Sequence, residues 1–366
     1  MAIQRLQLAS FRNHKKQEFE FNRGLTVIWG ENGAGKTAAL EAIHILSLGK
    51  SFRNNRHQEL IRNNDAAFIV RGDFIQDGVR SDIAAEGSRN TRQQIKLNGK
   101  KIISRRELIG KNNVVVLSPE LQTITNGAPA ERRRFFDKMF SISSVAYVDA
   151  LQKYNRVLKQ RNAALLLVRE NKKTNKDLSV WQDQIIESAL LVWSLRFDFL
   201  QRYKGVLRET QNKYDKEIEI SIGFLKEKPT KNKYTETINE NLKRDILLGR
   251  TTAGPHKDDI RILWSGSDIR KIGSQGEHKL TLMLLKIAEM CYVRLKTGFH
   301  PTLLLDDLFA KLDLERCQKT VLLLQGLESD SGEPVQTIVT TTDLLNIEKS
   351  GLLSEQEEVK TYHLER

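Results

Sequence analysis

Residues 26–37 of this chain read TVIWGENGAGKT, an apolar run followed by a glycine-rich segment and then by Lys and Thr. The segment from residue 30 onward has the phosphate-loop pattern G-x-x-x-x-G-K-S/T, and the helical pattern KTAALEAIHILSL follows it. In this strand–loop–helix context glycines let backbone N–H groups face phosphate oxygens, and the helix adds the positive end of its dipole. The predicted phosphate site is Gly30, Glu31, Asn32, Gly33, Ala34, Gly35, Lys36 and Thr37.

A second motif, LLLDD at residues 303–307, has the pattern of a buried strand that ends in two carboxylates. Because the carboxyl end of such a strand lies beside the phosphate loop in a parallel sheet, we expect the two to form one site with ATP and Mg²⁺. Lys36 is expected to reach the β- and γ-phosphates, while Thr37 and Asp306 hold Mg²⁺. Asp307 is expected to orient or deprotonate the attacking water, so the predicted catalytic residues are Lys36 and Asp307.

A second helix start lies at residues 271–280, KIGSQGEHKL. It offers the hydroxyl of Ser274 and the backbone N–H groups of Gln275 and Gly276 to an anion. A second phosphate-binding helix start would be redundant for the nucleotide held by the first. The start at Ser274 therefore indicates contact with a different nucleotide molecule. An ordinary helix cap is the alternative.

The pattern of apolar residues divides the chain into a split α/β part and a helical insertion. Short strands with turns at Asp77-Gly78 and Asn98-Gly99 are predicted before residue 128, and alternating helices and strands return beyond residue 250. Residues 149–168 and 180–200 have helical spacing on either side of a polar turn. The predicted fold is an α/β head of mixed sheet with flanking helices, residues 1–128 plus 245–366, interrupted by a mainly helical arm, residues 129–244.

The charge balance favours a polyanionic partner. Lys and Arg number 59 against 46 Asp and Glu, which gives the 366-residue chain a net charge of +13. Such a field attracts nucleic acid, although a basic surface without a partner is the alternative. No apolar run has the length of a membrane span, and the first residues lack the apolar centre of a secretory signal, so we expect a cytoplasmic protein. The two cysteines fit a reducing compartment and form no metal-binding pair.

Together these motifs resemble those of the ABC-type ATPases, in which the Ser-x-Gly loop of one head caps ATP held by another. The resemblance implies a homodimer that closes on two ATP molecules, with residues 274–276 acting across the interface. The segment KLD at residues 311–313 resembles the D-loop of these ATPases and adds Asp313 to the nucleotide site. Thr341 or Thr342 stands where many relatives carry a switch histidine.

Within that class the chain is similar to the RecF family of bacterial DNA repair proteins nearly from end to end. The segments that carry the likeness include LQLASFRNHKKQEFEF at residues 6–21, NGAPAERRRFFD at 126–137 and TTAGPHKDDI at 251–260. The sequence departs from the family pattern at Ala38, residues 121–122, residues 277–279 and Lys311. These departures leave the tuning of dimerisation and hydrolysis open.

The resemblance implies an ATP-dependent clamp of recombinational repair. Such a clamp dimerises on ATP, binds duplex DNA at single-strand gaps and helps to load a RecA-like recombinase with RecO-like and RecR-like partners. Slow, DNA-stimulated ATP hydrolysis then releases it. A grip without sequence preference uses Lys and Arg against phosphates. The candidate contacts are Arg132, Arg133, Arg134, Lys153, Arg156, Lys159 and Arg161, with solvated or internally paired arginines as the alternative.

Other functions use the same ATPase residues. The nucleotide-binding subunit of an ABC transporter shares them but gains nothing from a net charge of +13. A structural DNA linker that binds ATP and hardly hydrolyses it is a second alternative, although the predicted helical hairpin is short for bridging distant DNA segments. An ATPase-coupled nuclease would need acidic metal ligands outside the ATP site, which the sequence does not suggest.

Overall fold

The computed structural model describes residues 2–53, 57–76, 78–91, 93–307, 314–332, 335–349, 351–352 and 359–365. The strands are β1 Ala2–Phe11, β2 His14–Glu20, β3 Leu25–Gly30, β4 Ala67–Gln76, β5 Val79–Ser88, β6 Gln94–Leu97, β7 Lys100–Lys101, β8 Val114–Leu117, β9 Ile220–Gly223, β10 Arg261–Trp264, β11 Ser267–Asp268, β12 Thr302–Asp306, β13 Thr337–Thr341 and β14 Lys360–Leu364. The helices are α1 Lys36–Leu48, α2 Thr123–Asn126, α3 Pro129–Ser143, α4 Val145–Arg169, α5 Ser179–Tyr214, α6 Lys231–Glu240, α7 Leu242–Leu248, α8 Ile269–Ile272, α9 Gln275–Thr297, α10 Leu314–Ser331 and α11 Leu344–Lys349.

A five-stranded parallel sheet, in the order β14-β3-β13-β12-β8, carries the phosphate loop. All residues of the inner strands β12 and β13 are buried, as expected of a parallel sheet that is covered on both faces. The register places Asp306 beside Thr340 and Trp29 beside Thr341. The carboxyl ends of β12, β13 and β3 therefore meet at one edge, as the sequence predicted for LTVIWG and LLLDD.

A second sheet is antiparallel and six-stranded, in the order β2-β1-β4-β5-β6-β7. Helix α1 contacts strands of both sheets, and apolar side chains of α1 and both sheets form one buried cluster. Leu40, Ile43 and Leu46 of α1 are all 0% exposed. The buried residues of α1 are spread around the whole helix, as expected at such a central position. The predicted turn at Asn98-Gly99 is present between β6 and β7, whereas Asp77 lies outside the described residues.

The chain divides into two compact units, residues 1–122, 209–218 and 274–366, and residues 123–208 and 219–273. The second unit contains most of the predicted helical hairpin, α4 and α5, together with a three-stranded sheet in the order β11-β10-β9. Residues 245–273, which we assigned to the head from sequence, lie in this second unit because β10 pairs with β9. The mixed α/β architecture with a long helical segment is otherwise the predicted one.

Two arginines that the sequence suggested as DNA contacts are buried instead. Arg132 is 1% exposed and pairs with Asp259 at 2.6 Å. Arg161 is likewise 1% exposed and pairs with Asp245 at 2.8 Å. Both predictions are therefore wrong, since a buried, paired guanidinium is not available to a phosphate.

The segment at residues 251–260 has a structural role in the second unit. Asp258 accepts hydrogen bonds from Arg196 and from the indole N–H of Trp193. Arg196 is 1% exposed and also pairs with Asp137 at 2.9 Å. Breaking such a buried network leaves an uncompensated charge, which is costly. Arg196 of α5 thus joins the segment, through Asp258, to α3, through Asp137.

In the part of the chain that the structure describes, no helix combines the length and apolarity needed to cross a membrane.

Candidate functional site

The phosphate loop connects β3 to α1 and is supported from outside by the β1–β2 turn. Gly35, the residue before α1, has a left-handed backbone with φ of 101°. A side chain at Gly35 would overlap the imidazole of His14 and the amide of Asn13. Asn13 Nδ2 donates to the carbonyl of Gly33 at 2.9 Å, and His14 Nε2 lies 3.1 Å from the carbonyl of Gly35, to which it donates. The turn therefore fixes the loop at two points.

Sequence analysis did not single out this turn. Arg12, beside it, donates to both carboxylate oxygens of Glu41, at 2.6 and 2.8 Å, and to the carbonyl of Glu59 at 2.8 Å. Glu41 belongs to α1 and is fully buried, so the ion pair ties the turn to the helix that follows the loop. The sequence signals at this turn were the short polar run RNH between two strands and its place in the family-like segment at residues 6–21.

The loop borders a cavity of about 700 Å³, a volume in the usual range for small-ligand sites. Cationic, carboxylate and hydroxyl groups all face it, which suits a metal–polyphosphate ligand. The lining residues outside the loop include Arg12, Asn13, Arg53, Arg62, Asp306, Asp307, Thr340 and Thr342. Of the predicted loop residues, Asn32, Gly33, Gly35, Lys36 and Thr37 line the cavity, whereas Ala34 is 3% exposed and packs in the apolar core.

Lys36 lies folded against its own loop. Its ammonium group donates to the carbonyls of Gly30 at 2.6 Å and Glu31 at 2.8 Å. Burial lowers the pKa of Lys36 from its ordinary value, while the carboxylates of Asp307 and Asp306 act in the opposite direction. A phosphate oxygen would offer this ammonium a charged acceptor in place of neutral carbonyls, which is the stronger kind of hydrogen bond.

Three hydroxyl groups from separate elements hold the carboxylate of Asp306. Thr37 and Thr340 donate to Oδ1, each at 2.8 Å, and Ser118 donates to Oδ2 at 3.1 Å. Asp306 is 5% exposed, so its orientation is fixed. Sequence analysis missed Ser118 and Thr340, which become recognisable only when β8 and β13 are known to flank β12.

The pair formed by Thr37 and Asp306 fits a magnesium ion. Mg²⁺ prefers hard oxygen ligands in octahedral geometry, and two adjacent ligands of such an ion lie about 3 Å apart. The oxygens of Thr37 and Asp306 lie 2.8 Å apart. Their chemistry and spacing therefore agree with the predicted pair of metal ligands.

Asp307 follows β12 in a left-handed backbone conformation, with φ of 49°. Its N–H donates to the carbonyl and the hydroxyl of Thr340, at 3.1 and 3.2 Å. Aspartate tolerates this conformation better than most residues. The bend lets both Asp306 and Asp307 border the cavity, although they are consecutive residues at a strand end.

The second predicted helix start, at residues 271–280, is not part of the described lining of this cavity. Ser274 and Gln275 are exposed at the beginning of α9, and neither they nor Gly276 belong to the described lining of the cavity. The predicted D-loop residue, Asp313, lies outside the described residues. Of the two threonines at the switch position, Thr342 borders the cavity, whereas Thr341 is 1% exposed.

Comparison with known proteins identifies the relatives of this architecture. The family model described as "RecF/RecN/SMC N terminal domain" matches residues 2–362. The DNA replication and repair protein RecF of Heliobacterium modesticaldum is 34% identical over 94% of this chain and 93% of its own. RecF of Leptospira interrogans is 33% identical over 98% of this chain and 97% of its own. A solved structure of "the recombination mediator protein RecF-ATP in RecFOR pathway" superimposes with a TM-score of 0.86 at 28% identity, covering 99% of this chain and 95% of that one.

Proposed function

The chain belongs to the RecF family of DNA replication and repair proteins, and from that premise we propose that it is an ATP-dependent clamp on DNA in recombinational repair. The observation that carries the proposal is the arrangement of Thr37 and Asp306, 2.8 Å apart at the floor of a cavity that Lys36 and Asp307 also line. These are the groups that a metal-bound nucleoside triphosphate requires.

ATP is the proposed ligand, and a structurally similar relative contains it. Thr37 and Asp306 would hold Mg²⁺, which would supply positive charge to neutralise the phosphate oxygens. Lys36 exchanges its loop carbonyls for the β- and γ-phosphates. Asp307 accepts a proton from, or orients, the attacking water, and its bent backbone brings the carboxylate to the cavity. Hydrolysis is proposed to be slow and stimulated by DNA.

Dimerisation is proposed because the second helix start is exposed and does not border its own chain's cavity. Ser274, Gln275 and Gly276 would contact the triphosphate held by a second copy, with Asp313 beside it. A site completed only by a second chain makes closure depend on ATP, and opening depend on hydrolysis. Ring-like closure of this kind suits a protein that must hold DNA and later release it.

The DNA surface is proposed to include the exposed cations of α4. Lys153, Arg156 and Lys159 follow one another at three-residue steps, and all three are exposed. Residues three apart are neighbours on a helix surface, so the three cations follow one another along α4. Contacts from such side chains go to phosphates and carry no sequence information, which suits a clamp on duplex DNA at single-strand gaps. RecO-like and RecR-like partners are proposed because a similar solved protein acts in the RecFOR pathway, with loading of a RecA-like recombinase as the result.

Sedimentation equilibrium in Mg²⁺ with a non-hydrolysable ATP analogue tests the proposal. We expect the wild-type chain to dimerise with the analogue and to remain monomeric with ADP. Ser274→Arg is expected to bind the analogue with unchanged affinity and to stay monomeric. A dimer of Ser274→Arg as tight as that of the wild type would overturn the shared-nucleotide arrangement.

ATP turnover separates the clamp from the alternatives. We expect gapped duplex DNA to raise turnover several-fold and Lys36→Ala to abolish the stimulated rate. Turnover that is fast and unaffected by DNA would favour a transporter-type subunit. ATP binding without any turnover would favour a structural linker.

A further inference from the structure

We propose that a surface on helices α4 and α7 docks an acidic segment of a partner protein that carries large apolar side chains. This surface, the α7 patch, consists of Leu166, Leu247 and Leu248 together with the exposed cations around them. The inference does not depend on the nucleotide site, because every residue of the patch lies in the unit that does not contain the phosphate loop.

The patch begins with two exposed leucines on the short helix α7. Leu247 is 73% exposed and Leu248 is 40% exposed. On the other side of the helix, Leu242 and Ile246 pack against a buried apolar cluster, and Asp245 is fully buried. Helix α7 thus contributes one side to the core and presents two large apolar side chains to solvent on the other.

Helix α4 extends this apolar surface. Leu166 of α4 is 38% exposed, and a Cβ placed on Gly249 would overlap Cδ2 of Leu166. Gly249 directly follows Leu248 and caps α7, so Leu166 lies against the end of the helix that carries the other two leucines. Single exposed leucines are normal on a protein surface, but adjacent ones rimmed by polar groups are typical of interaction sites.

The rim of the patch is positively charged. It consists of exposed cations from both helices and from the end of α7, namely Arg169, Lys243, Arg244 and Arg250. The two cations of α7 stand three to four residues before the leucines and are therefore their neighbours on the helix surface. Nη1 of Arg169 would lie 3.3 Å from the Cβ placed on Gly249, so this guanidinium lies beside Leu166.

The acidic groups nearest in the chain leave this charge largely in place. Asp245 is buried and pairs with Arg161 at 2.8 Å. Glu170 pairs with Lys172 at 2.8 Å. Glu240, exposed at the end of α6, is then set against the four cations of the rim. The rim therefore keeps a positive charge, which favours an acidic partner by electrostatic complementarity.

The leucines distinguish this partner from duplex DNA and from a second copy of the chain. Phosphates of DNA gain from the cations but not from apolar side chains. A second copy docked through the same patch would bring like charges together, which is unfavourable. An acidic segment with large apolar side chains fits both parts of the patch, because protein interfaces combine buried apolar anchors with a polar rim.

The test measures binding of a fluorescein-labelled peptide, Asp-Asp-Glu-Asp-Leu-Phe, to the full chain by fluorescence anisotropy without nucleotide. We expect Leu247→Ser and Arg244→Ala each to weaken binding about tenfold, the loss expected of an interface anchor. Leu191→Ser is the matched control, because Leu191 is 46% exposed on α5 outside the patch, and it should bind as the wild type does. No binding at about 1 mM peptide, or equal affinity in all variants, would overturn the inference.

Altered peptides show whether both parts of the patch are used. Replacing the Leu and Phe of the peptide by Ser should weaken binding about tenfold, since the apolar anchors are lost. Replacing its acidic residues by Asn and Gln should weaken binding and remove its dependence on salt. A peptide that binds equally well without its apolar residues, or without its charges, would overturn the inference.

Two measurements on Leu247→Ser exclude the other occupants. The variant should bind duplex DNA as the wild type does and unfold at the wild-type temperature, because the side chain is exposed. A DNA affinity that falls as far as the peptide affinity would make the patch a phosphate-binding surface and overturn the inference. Self-association of the wild type without nucleotide that Leu247→Ser abolishes would place a second copy on the patch and also overturn it. The proposed ATP-dependent dimer stands or falls separately, because none of these measurements includes nucleotide.

Discussion

The hydroxyl of Thr37 and the carboxylate of Asp306 lie 2.8 Å apart, although 269 residues separate them along the chain. The parallel sheet brings them together, because β3 and β12 both end at the edge where the phosphate loop begins. Thr340, on the strand between them, donates to the same carboxylate oxygen at 2.8 Å. The proposed pair of metal ligands is therefore positioned by a residue, Thr340, that need not itself contact the metal.

The first prediction concerns this supporting hydroxyl. Thr340→Val keeps the shape of the side chain and removes its donor, which frees the Asp306 carboxylate to rotate. We expect nucleotide affinity in Mg²⁺ to fall about tenfold, the lower end of the effect of such supporting residues, with little change in EDTA. Titration with a fluorescent ATP analogue measures both. Thr26→Val is the control, since its hydroxyl is buried without a partner among the described residues; equal losses in the two variants would contradict the prediction.

The second prediction concerns Asp307. Two substitutions separate the effect of its backbone conformation from the effect of its carboxylate. Asp307→Asn keeps a residue type that tolerates a left-handed backbone and removes the negative charge. We expect this variant to bind ATP, to lose turnover and to accumulate as the closed dimer. Asp307→Ala should lose turnover equally and also unfold about 1 kcal/mol more easily, because alanine at φ of 49° is strained. Turnover assays and denaturant unfolding decide it, and an Asp307→Asn variant that fails to bind ATP would contradict the assigned role.

The third prediction compares two arginines of α4. Arg161→Ala leaves Asp245, which is 0% exposed, without its buried partner, and we expect a loss of about 3 kcal/mol or more in the free energy of unfolding. Arg156→Ala, on an exposed face of the same helix, should leave stability nearly unchanged. It should weaken duplex DNA binding and reduce the salt dependence by about one counterion. Urea unfolding and DNA titrations at several salt concentrations measure the contrast, and equal DNA affinity in Arg156→Ala and wild type would remove Arg156 from the proposed surface.

The fourth prediction is an acid sensitivity centred on His300. Burial lowers the pKa of His300 from 6.5 to about 4, and Arg294 acts in the same direction. Between these values the unfolded chain binds a proton that the folded chain excludes, so the free energy of unfolding falls as pH drops from about 6.5 toward 4. Neither ring nitrogen of His300 has a hydrogen-bond partner among the described residues. His300→Leu should therefore keep its stability at pH 8 and lose less on acidification, as followed by urea unfolding at each pH; an unchanged slope would contradict the prediction.

The phosphate loop and the acidic strand end were predictable because each is a local pattern with a local reason. A buried strand, a curled loop and a helix start follow one another within twenty residues, and Asp306 and Asp307 follow their own strand directly. The groups that support them were not predictable in the same way. Ser118 and the β1–β2 turn join the site only through the order of strands in space, which no single segment encodes.

The buried arginines also show what the sequence alone does not predict, because here the sequence suggested contacts that the fold excludes. Arg132 lies in a run of three arginines and Arg161 in a basic helix, and both patterns are typical of nucleic-acid contacts. Their partners, Asp259 and Asp245, lie 127 and 84 residues away in the chain. Composition shows how many cations a chain carries, but only the folded structure shows which of them are already neutralised.

The grip of Asn13 and His14 on Gly33 and Gly35 has a mechanical consequence. The first two residues belong to the connection between β1 and β2 of the antiparallel sheet, and the other two belong to the loop proposed to hold the nucleotide phosphates. A pull that tilts this sheet, whether from DNA or from protein, must also reshape the loop. We therefore expect a force on the antiparallel sheet to change the affinity of the site for nucleotide.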